Sequence, residues 1–143
     1  MFVSRILRIV AAVAALVAGY AHLKLYNDGY KDIPIANIGT QFLLNALGAV
    51  VIAAGLVAPL VVRTLPSWVR WSAPVAGIGW SAMSLLAFWL SRTSRGWMGF
   101  RDGPGLNPAP EAALSVFPEI AVLVCCVALL IPIVTTELRS RRG

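Results

Sequence analysis

The chain reads as an all-α, polytopic membrane four-helix bundle with both termini on the cytoplasmic side (N-in/C-in). Three features lead there: a composition poor in charge, four apolar runs of membrane-crossing length, and basic residues clustered at the ends of those runs. Hydrophobic residues make up 59% of the 143 positions and charged residues 13%, with a mean hydropathy of +0.80. Soluble domains carry about 45–50% apolar and about 25% charged residues. A water-soluble chain of this length cannot hide so many aliphatic side chains, so lipid must solvate much of the surface. The length suffices for one domain and no second globular module.

The four apolar runs are 6–26, 41–62, 71–91 and 112–134, each of 21 to 23 residues. At 1.5 Å per residue each extends about 31–35 Å, enough to cross a hydrocarbon core of about 30 Å. Every backbone N–H and C=O inside that core needs a partner, so the runs must be helical. Barrel strands would be about ten residues long and alternating, which these are not. The first run has a basic start at Arg5 and Arg8 and could pass for a secretory signal. It continues unbroken to Tyr26 and three more runs follow, so it reads as an uncleaved first helix.

The net charge is +6, from ten Arg and two Lys against six acids. The basic residues form short clusters beside apolar runs, which is the pattern of topology signals and headgroup contacts and excludes a nucleic-acid binder. With the N-terminus inside, the cytoplasmic set is Arg5, Arg8, Arg63, Arg70, Arg139, Arg141 and Arg142. The outer set is Lys24, Lys31, Arg92, Arg95 and Arg101. The short 63–70 loop makes helices two and three antiparallel neighbours. The outer segment 27–40 holds Gly29, Pro34 and Gly39. The second outer loop, 92–111, is rich in Gly and Pro around Trp97, Met98 and Phe100, and is expected to lie on the interface and cover the mouth of the bundle.

Between helices in lipid, small residues mark the packing faces. At 3–4 spacing these are Ala11, Ala15, Ala18, His22 and Tyr26 on helix one, and Gln41, Asn45, Gly48, Ile52 and Gly55 on helix two. Helix three offers Ala73, Gly77, Ser81, Ser84 and Phe88, and helix four Ala112, Ser115, Glu119, Val122 and Cys126. His22 and Asn45 lie about 6 Å below the outer helix ends and Glu119 about 10 Å, by the helical rise. One imidazole, one amide and one carboxyl group therefore share a layer and an inward face. A charged residue in mid-bilayer costs about 2.5–3.5 kcal/mol on insertion scales. Glu119 must therefore be paired or protonated, and a histidine, which exchanges protons near neutrality, is the natural partner. Pro118 frees the carbonyl of Leu114 and is expected to kink helix four beside the acid. Lys24 is expected to snorkel outward.

The candidate ligand-binding residues are His22, Asn45 and Glu119, with Tyr26 and Gln41 beside them. The competing reading is a structural clamp that holds helices one, two and four in register. One His and one Glu are too few for a metal site, and no cofactor motif is present. Ser81 and Ser84 have no base within reach by spacing and read as packing residues. Trp68 and Trp71 read as interface anchors. Asp102 and Arg101 read as an exposed ion pair. Adjacent Cys125 and Cys126 point about 100° apart and read as small buried residues.

The stretch His22-Leu-x-Leu-Tyr26, Gly29-Tyr30, Ile33-Pro34, Ile38-Gly39 and Phe42-Leu-Leu-Asn45 resembles small four-helix membrane proteins of actinobacteria to which no reaction is assigned. The likeness extends to the Gly99-Phe100-Arg101 loop and Glu119, and in helix number the chain is similar to DoxX-like membrane proteins. The resemblance implies a multi-pass protein of a bacterial plasma membrane and carries no catalytic motif. Small multidrug transporters also have four helices and a membrane glutamate, but in their first helix rather than the fourth. Two functions remain in view: a protein that binds a small apolar or amphipathic ligand or lipid in an outer-leaflet pocket, and a non-catalytic accessory subunit. The second would pack on a membrane partner or a second copy through Gly77, Gly79, Ser81 and Ser84. An enzyme ranks below both, because no nucleophile is evident.

Overall fold

The computed structural model describes residues 2–62 and 64–140. Arg63, Arg141 and Arg142, and the side chain of Arg139, lie outside the described residues. Four helices form: α1 (Phe2–Asn27), α2 (Ile38–Val61), α3 (Ser67–Ser91) and α4 (Glu111–Ser140). Two 3-10 turns, Tyr30–Asp32 and Ile35–Asn37, join α1 to α2. Among the described residues there is no β-strand, only an isolated bridge between Trp97 and Phe100. All four helices are long and apolar enough to cross a membrane, with mean hydropathies of 1.5 to 2.6 over their most apolar stretches. The chain is thus an all-α bundle of the kind that multi-pass membrane proteins form.

Each helix is longer than its apolar run. α1 takes in Arg5, α3 begins directly after Pro66, and α4 continues to Ser140. Hydropathy senses the stretch that lipid surrounds, whereas the hydrogen-bonded helix continues into polar surroundings. α4 starts with Glu111, an acid in the first turn that complements the helix dipole. It is one continuous helix through Pro118.

The helices pack in a ring, α1 against α2 and α4, and α3 against α4 and, most sparsely, α2. Small residues set the close approaches. A Cβ on Gly19 would lie 2.6 Å from that of Ala49, and one on Gly77 would lie 2.8 Å from Cys126 Sγ. On α1, Ala11, Ala15, Ala18 and His22 are buried, and on α4 Ala112, Ser115, Glu119, Val122 and Cys126 are buried. These are the expected stripes. On α2 the buried line is instead Ala46, Ala49, Ile52, Ala53 and Leu56, turned by about one residue from expectation. α2 packs chiefly on α1 through that line. Asn45, Gly48 and Gly55 flank it toward α3, where a Cβ on Gly48 or Gly55 would meet Trp80 or Ala73. The exposed faces are apolar, with Val13, Leu16, Val50, Val51, Leu86, Phe117 and Val124 turned to the surroundings.

Arg8 departs from its expected role as a headgroup contact. It shares the stripe of Ala11 and Ala15 and is buried, and it donates to the Arg70 carbonyl at 2.7 Å. Trp68 and Trp71 are exposed, and Cys125 and Cys126 are unbonded and buried. Of the four residues offered for docking on α3, Gly77 and Ser81 turn into the bundle and Ser84 bonds within it. Only Gly79 has open space beside it.

Candidate functional site

The C-terminal end of α1, the N-terminal end of α2, the C-terminal end of α3 and the N-terminal end of α4 meet at one end of the bundle, beneath segments 28–37 and 92–110. Here His22 and Glu119 come together. His22 Nε2 lies 2.8 Å from Glu119 Oε1, with side-chain exposures of 9% and 0%. Two serines close on the same oxygen: Ser84 Oγ donates to Oε1 at 2.6 Å and Ser115 Oγ at 3.1 Å. With both hydroxyls donating to Oε1, the arrangement suits an imidazole that presents Nε2–H to it. That assignment follows from the polarity of the network. His22 Nδ1 has no hydrogen-bond partner among the described residues, nor has Glu119 Oε2.

Asn45 joins from α2. Its Nδ2 donates to Ser84 Oγ at 3.0 Å, so Ser84 relays the amide to the carboxyl group. Asn45 Oδ1 is buried and unpartnered among the described residues, while its backbone carbonyl accepts from Trp80 Nε1 at 3.2 Å. All four helices thus contribute to one network: His22 from α1, Asn45 from α2, Ser84 from α3, and Ser115 and Glu119 from α4. Ser84 is the member that spacing along one helix did not reveal, because its partners come from other helices.

A cavity of about 90 Å³ lies beside this network. His22 and Leu25 wall it from α1, Asn45, Gln41, Phe42 and Ile38 from α2, Ser84, Ala87, Phe88 and Ser91 from α3, and Ala112 and Ser115 from α4. Arg92, Trp97, Phe100, Asp102 and Pro108 of the long loop complete it. Trp97 and Phe100 exchange two backbone hydrogen bonds of 2.8 Å across Met98 and Gly99. Both central residues have positive φ, 49° and 88°, as a tight hairpin turn requires. The turn sets the two aromatic side chains next to each other on the cavity wall.

Polar ties hold this loop down. Trp97 Nε1 donates to Gln41 Oε1 at 2.8 Å, and Gln41 Nε2 donates to the Ala36 carbonyl at 2.7 Å. Arg92 donates to the carbonyls of Gly105 and Asn107 at 2.8 and 2.7 Å, and its guanidinium sits 3.4 Å from the Phe88 ring centre. The Tyr30 hydroxyl donates to the Asp102 carboxylate at 3.0 and 3.1 Å. Burial, reinforced by the Asp102 charge, pushes the Tyr30 phenol up from its ordinary value of 10.0. Asp102 is therefore tied to Tyr30 and, at 3.8 Å, to Arg92, rather than forming an exposed pair with Arg101. Lys24 binds Asp28 at 2.6 Å and Glu111 at 2.7 Å, so it ties α1 to α4 instead of only snorkelling.

Of the five residues expected to bind a ligand, His22, Asn45 and Gln41 line the cavity. Gln41 does so with both ends of its amide committed to Trp97 and Ala36. Glu119 is fully buried behind His22 and off the wall. Tyr26 is half-buried and also off the wall, where Leu25 stands instead. At about 100° per residue, Leu25 falls about 60° to one side of His22 and Tyr26 about 40° to the other. The cavity opens on the Leu25 side. Among the described residues, no three His, Cys, Asp or Glu side chains gather as metal ligands would. No protein-family model matches the chain, and neither does any curated protein or solved structure.

Proposed function

We propose that this is a bacterial plasma-membrane protein, N-in and C-in, that binds a small amphipathic ligand in the cavity at the loop end. His22 contacts the ligand, and Glu119 orients the imidazole through the 2.8 Å contact. The supporting observation is that the buried network and an open space occur side by side. A clamp that only joined helices would saturate its own polar atoms and leave no room. Here His22, Asn45, Ser84 and Ser115 all border a cavity of about 90 Å³, and two buried polar atoms of the wall residues, His22 Nδ1 and Asn45 Oδ1, remain free among the described residues. That volume holds several waters or a small head group, so a longer ligand leaves its tail outside, among lipids. Lys24, Lys31, Arg92, Arg95 and Arg101 lie at the outer end in this orientation, and the basic N-terminus at the inner.

The test is a single cysteine at Ala87, on the cavity wall, in a chain carrying Cys125→Ala and Cys126→Ala. A membrane-impermeant thiol reagent added to intact cells should label it. No labelling in the folded, detergent-solubilised protein would remove the pocket. Labelling only after the reagent reaches the cytoplasm would reverse the orientation and keep the pocket.

A further inference from the structure

We propose that the hairpin tip 96–100 is a lid over the cavity and that Gln41 is the latch that holds it shut, so that a ligand passes when the bond between Trp97 and Gln41 parts. The inference rests on the pocket reading above and adds how the pocket is reached.

The tip is a self-contained unit on a fixed base. Trp97 and Phe100 close it with two backbone bonds of 2.8 Å. Gly96, at φ 73°, lies so near that a Cβ there would collide with the Phe100 carbonyl oxygen. The base is anchored on both sides. Arg92 donates to the carbonyls of Phe88, Gly105 and Asn107. Asp102 N donates to the Ser91 carbonyl at 3.0 Å, and the Tyr30 hydroxyl donates to the Asp102 carboxylate. The tip has no such anchors. Among the described residues, the hydrogen bonds that tie 97–100 to another segment all end on Gln41. Trp97 Nε1 donates to its Oε1 at 2.8 Å, and its Nε2 approaches Met98 Sδ at 3.9 Å.

Gln41 is set for that role from its own side. Its Nε2 donates to the Ala36 carbonyl at 2.7 Å, which turns the amide oxygen toward Trp97. A strained turn presents that carbonyl: Ala36 and Asn37 have φ of 54° and 52°, and Met98 in the tip has 49°. Residues with a Cβ rarely adopt such angles and keep them only where surrounding contacts hold them. Gln41 joins the two strained segments, so the closed arrangement depends on it and the turns relax when it lets go. The tip carries part of the cavity wall. Trp97 is half-buried and Phe100 buried, both against the cavity, whereas Met98 between them is 68% exposed. Swinging outward delivers both rings to the membrane–water interface, where aromatic side chains are favoured. Opening therefore leaves little apolar surface in water.

The test is the rate at which fluorescein maleimide, a reagent too large for a cavity of about 90 Å³, labels Ala87→Cys in lipid nanodiscs, in the chain carrying Cys125→Ala and Cys126→Ala. Gln41→Leu keeps the bulk of the side chain, and Trp97→Phe keeps a ring and loses the N–H. Each should speed labelling about fivefold, the share of one hydrogen bond, and the two together no more than either alone. Equal rates in all these chains, or labelling by the small reagent methyl methanethiosulfonate alone, overturn the latch and leave the pocket standing. Independent, multiplying effects overturn it too, because the two residues would then act apart. So does an equal acceleration at Ala53→Cys, a core position only 4% exposed, since the whole bundle would then have loosened. No labelling of Ala87→Cys by either reagent in any variant removes the pocket and the latch together.

Discussion

Replacing His22 and Glu119 by alanine, singly and together, measures what joins α1 to α4 at the loop end. Hydrogen bonds between membrane helices couple by about 0.6 kcal/mol on average and reach about 1.7 kcal/mol, because the unfolded helices in lipid find other partners. This contact should exceed that range. It is 2.8 Å long, with side-chain exposures of 9% and 0%, and charge-assisted bonds are roughly twice as strong as neutral ones. Breaking a buried ion pair by removing one partner costs about 3–5 kcal/mol. Part of that is recovered here. Ser84 Oγ and Ser115 Oγ lie 3.4 and 3.2 Å from Nε2 and can turn toward the ring once the carboxyl is gone. The expected coupling is therefore about 2–3 kcal/mol, above the neutral range and below the full ion-pair cost. Reversible unfolding by dodecyl sulfate in mixed micelles, followed by helix content, reads all four corners of the cycle. A coupling of about 0.6 kcal/mol or less would show that no shared charge joins the two residues and would refute the reasoning.

Four further outcomes follow from particular contacts. Gly19→Ala puts a methyl 2.6 Å from the Ala49 Cβ and should cost about 1–3 kcal/mol in the same unfolding assay. Gly79→Ala meets nothing within 4 Å and should be neutral or stabilise by up to about 1 kcal/mol. Arg92→Gln removes the ties to Gly105 and Asn107, so trypsin should cut at Arg95 and Arg101 about tenfold faster while the helices stay protected. The Tyr30 phenol is raised in the folded protein, so its contribution is fully present below the unfolded value of about 10 and is lost as pH climbs past it. Tyr30→Phe should abolish that alkaline loss in a stability-versus-pH series.

The four helices were legible because one quantity, the length of uninterrupted apolar sequence, decides whether a segment can cross lipid. Their ends were not, since backbone hydrogen bonding carries α1 back through Arg5 and α4 on to Ser140. The meeting of His22 with Glu119 followed from depth and stripe alone. The position of Asn45 in the network needed Ser84, and a hydroxyl that looks like packing along its own helix becomes a donor only when α4 brings a carboxylate to it. The buried stripe of α2 was misplaced by about one residue because Gly48 and Gly55 are small for the sake of Trp80 and Ala73 on α3, while Ala46, Ala49 and Ala53 face α1. The hairpin at Met98 and Gly99 and the commitment of Gln41 to Trp97 depend on how the long loop folds back, which no helical periodicity encodes. Arg8 was misjudged because basic residues near a span end usually face headgroups, whereas this one continues the alanine line of α1 inward.

The chain has a single histidine, so selective ¹⁵N labelling of histidine gives one imidazole spectrum without overlap. If Glu119 braces the ring and the cavity lies beside it, Nε2 should be protonated and strongly hydrogen-bonded, and the ring resonances should move when a small amphipathic probe such as phenol is added. A spectrum with a bare Nε2, or ring signals indifferent to every added ligand, would contradict the picture of a carboxylate-held histidine beside a binding cavity.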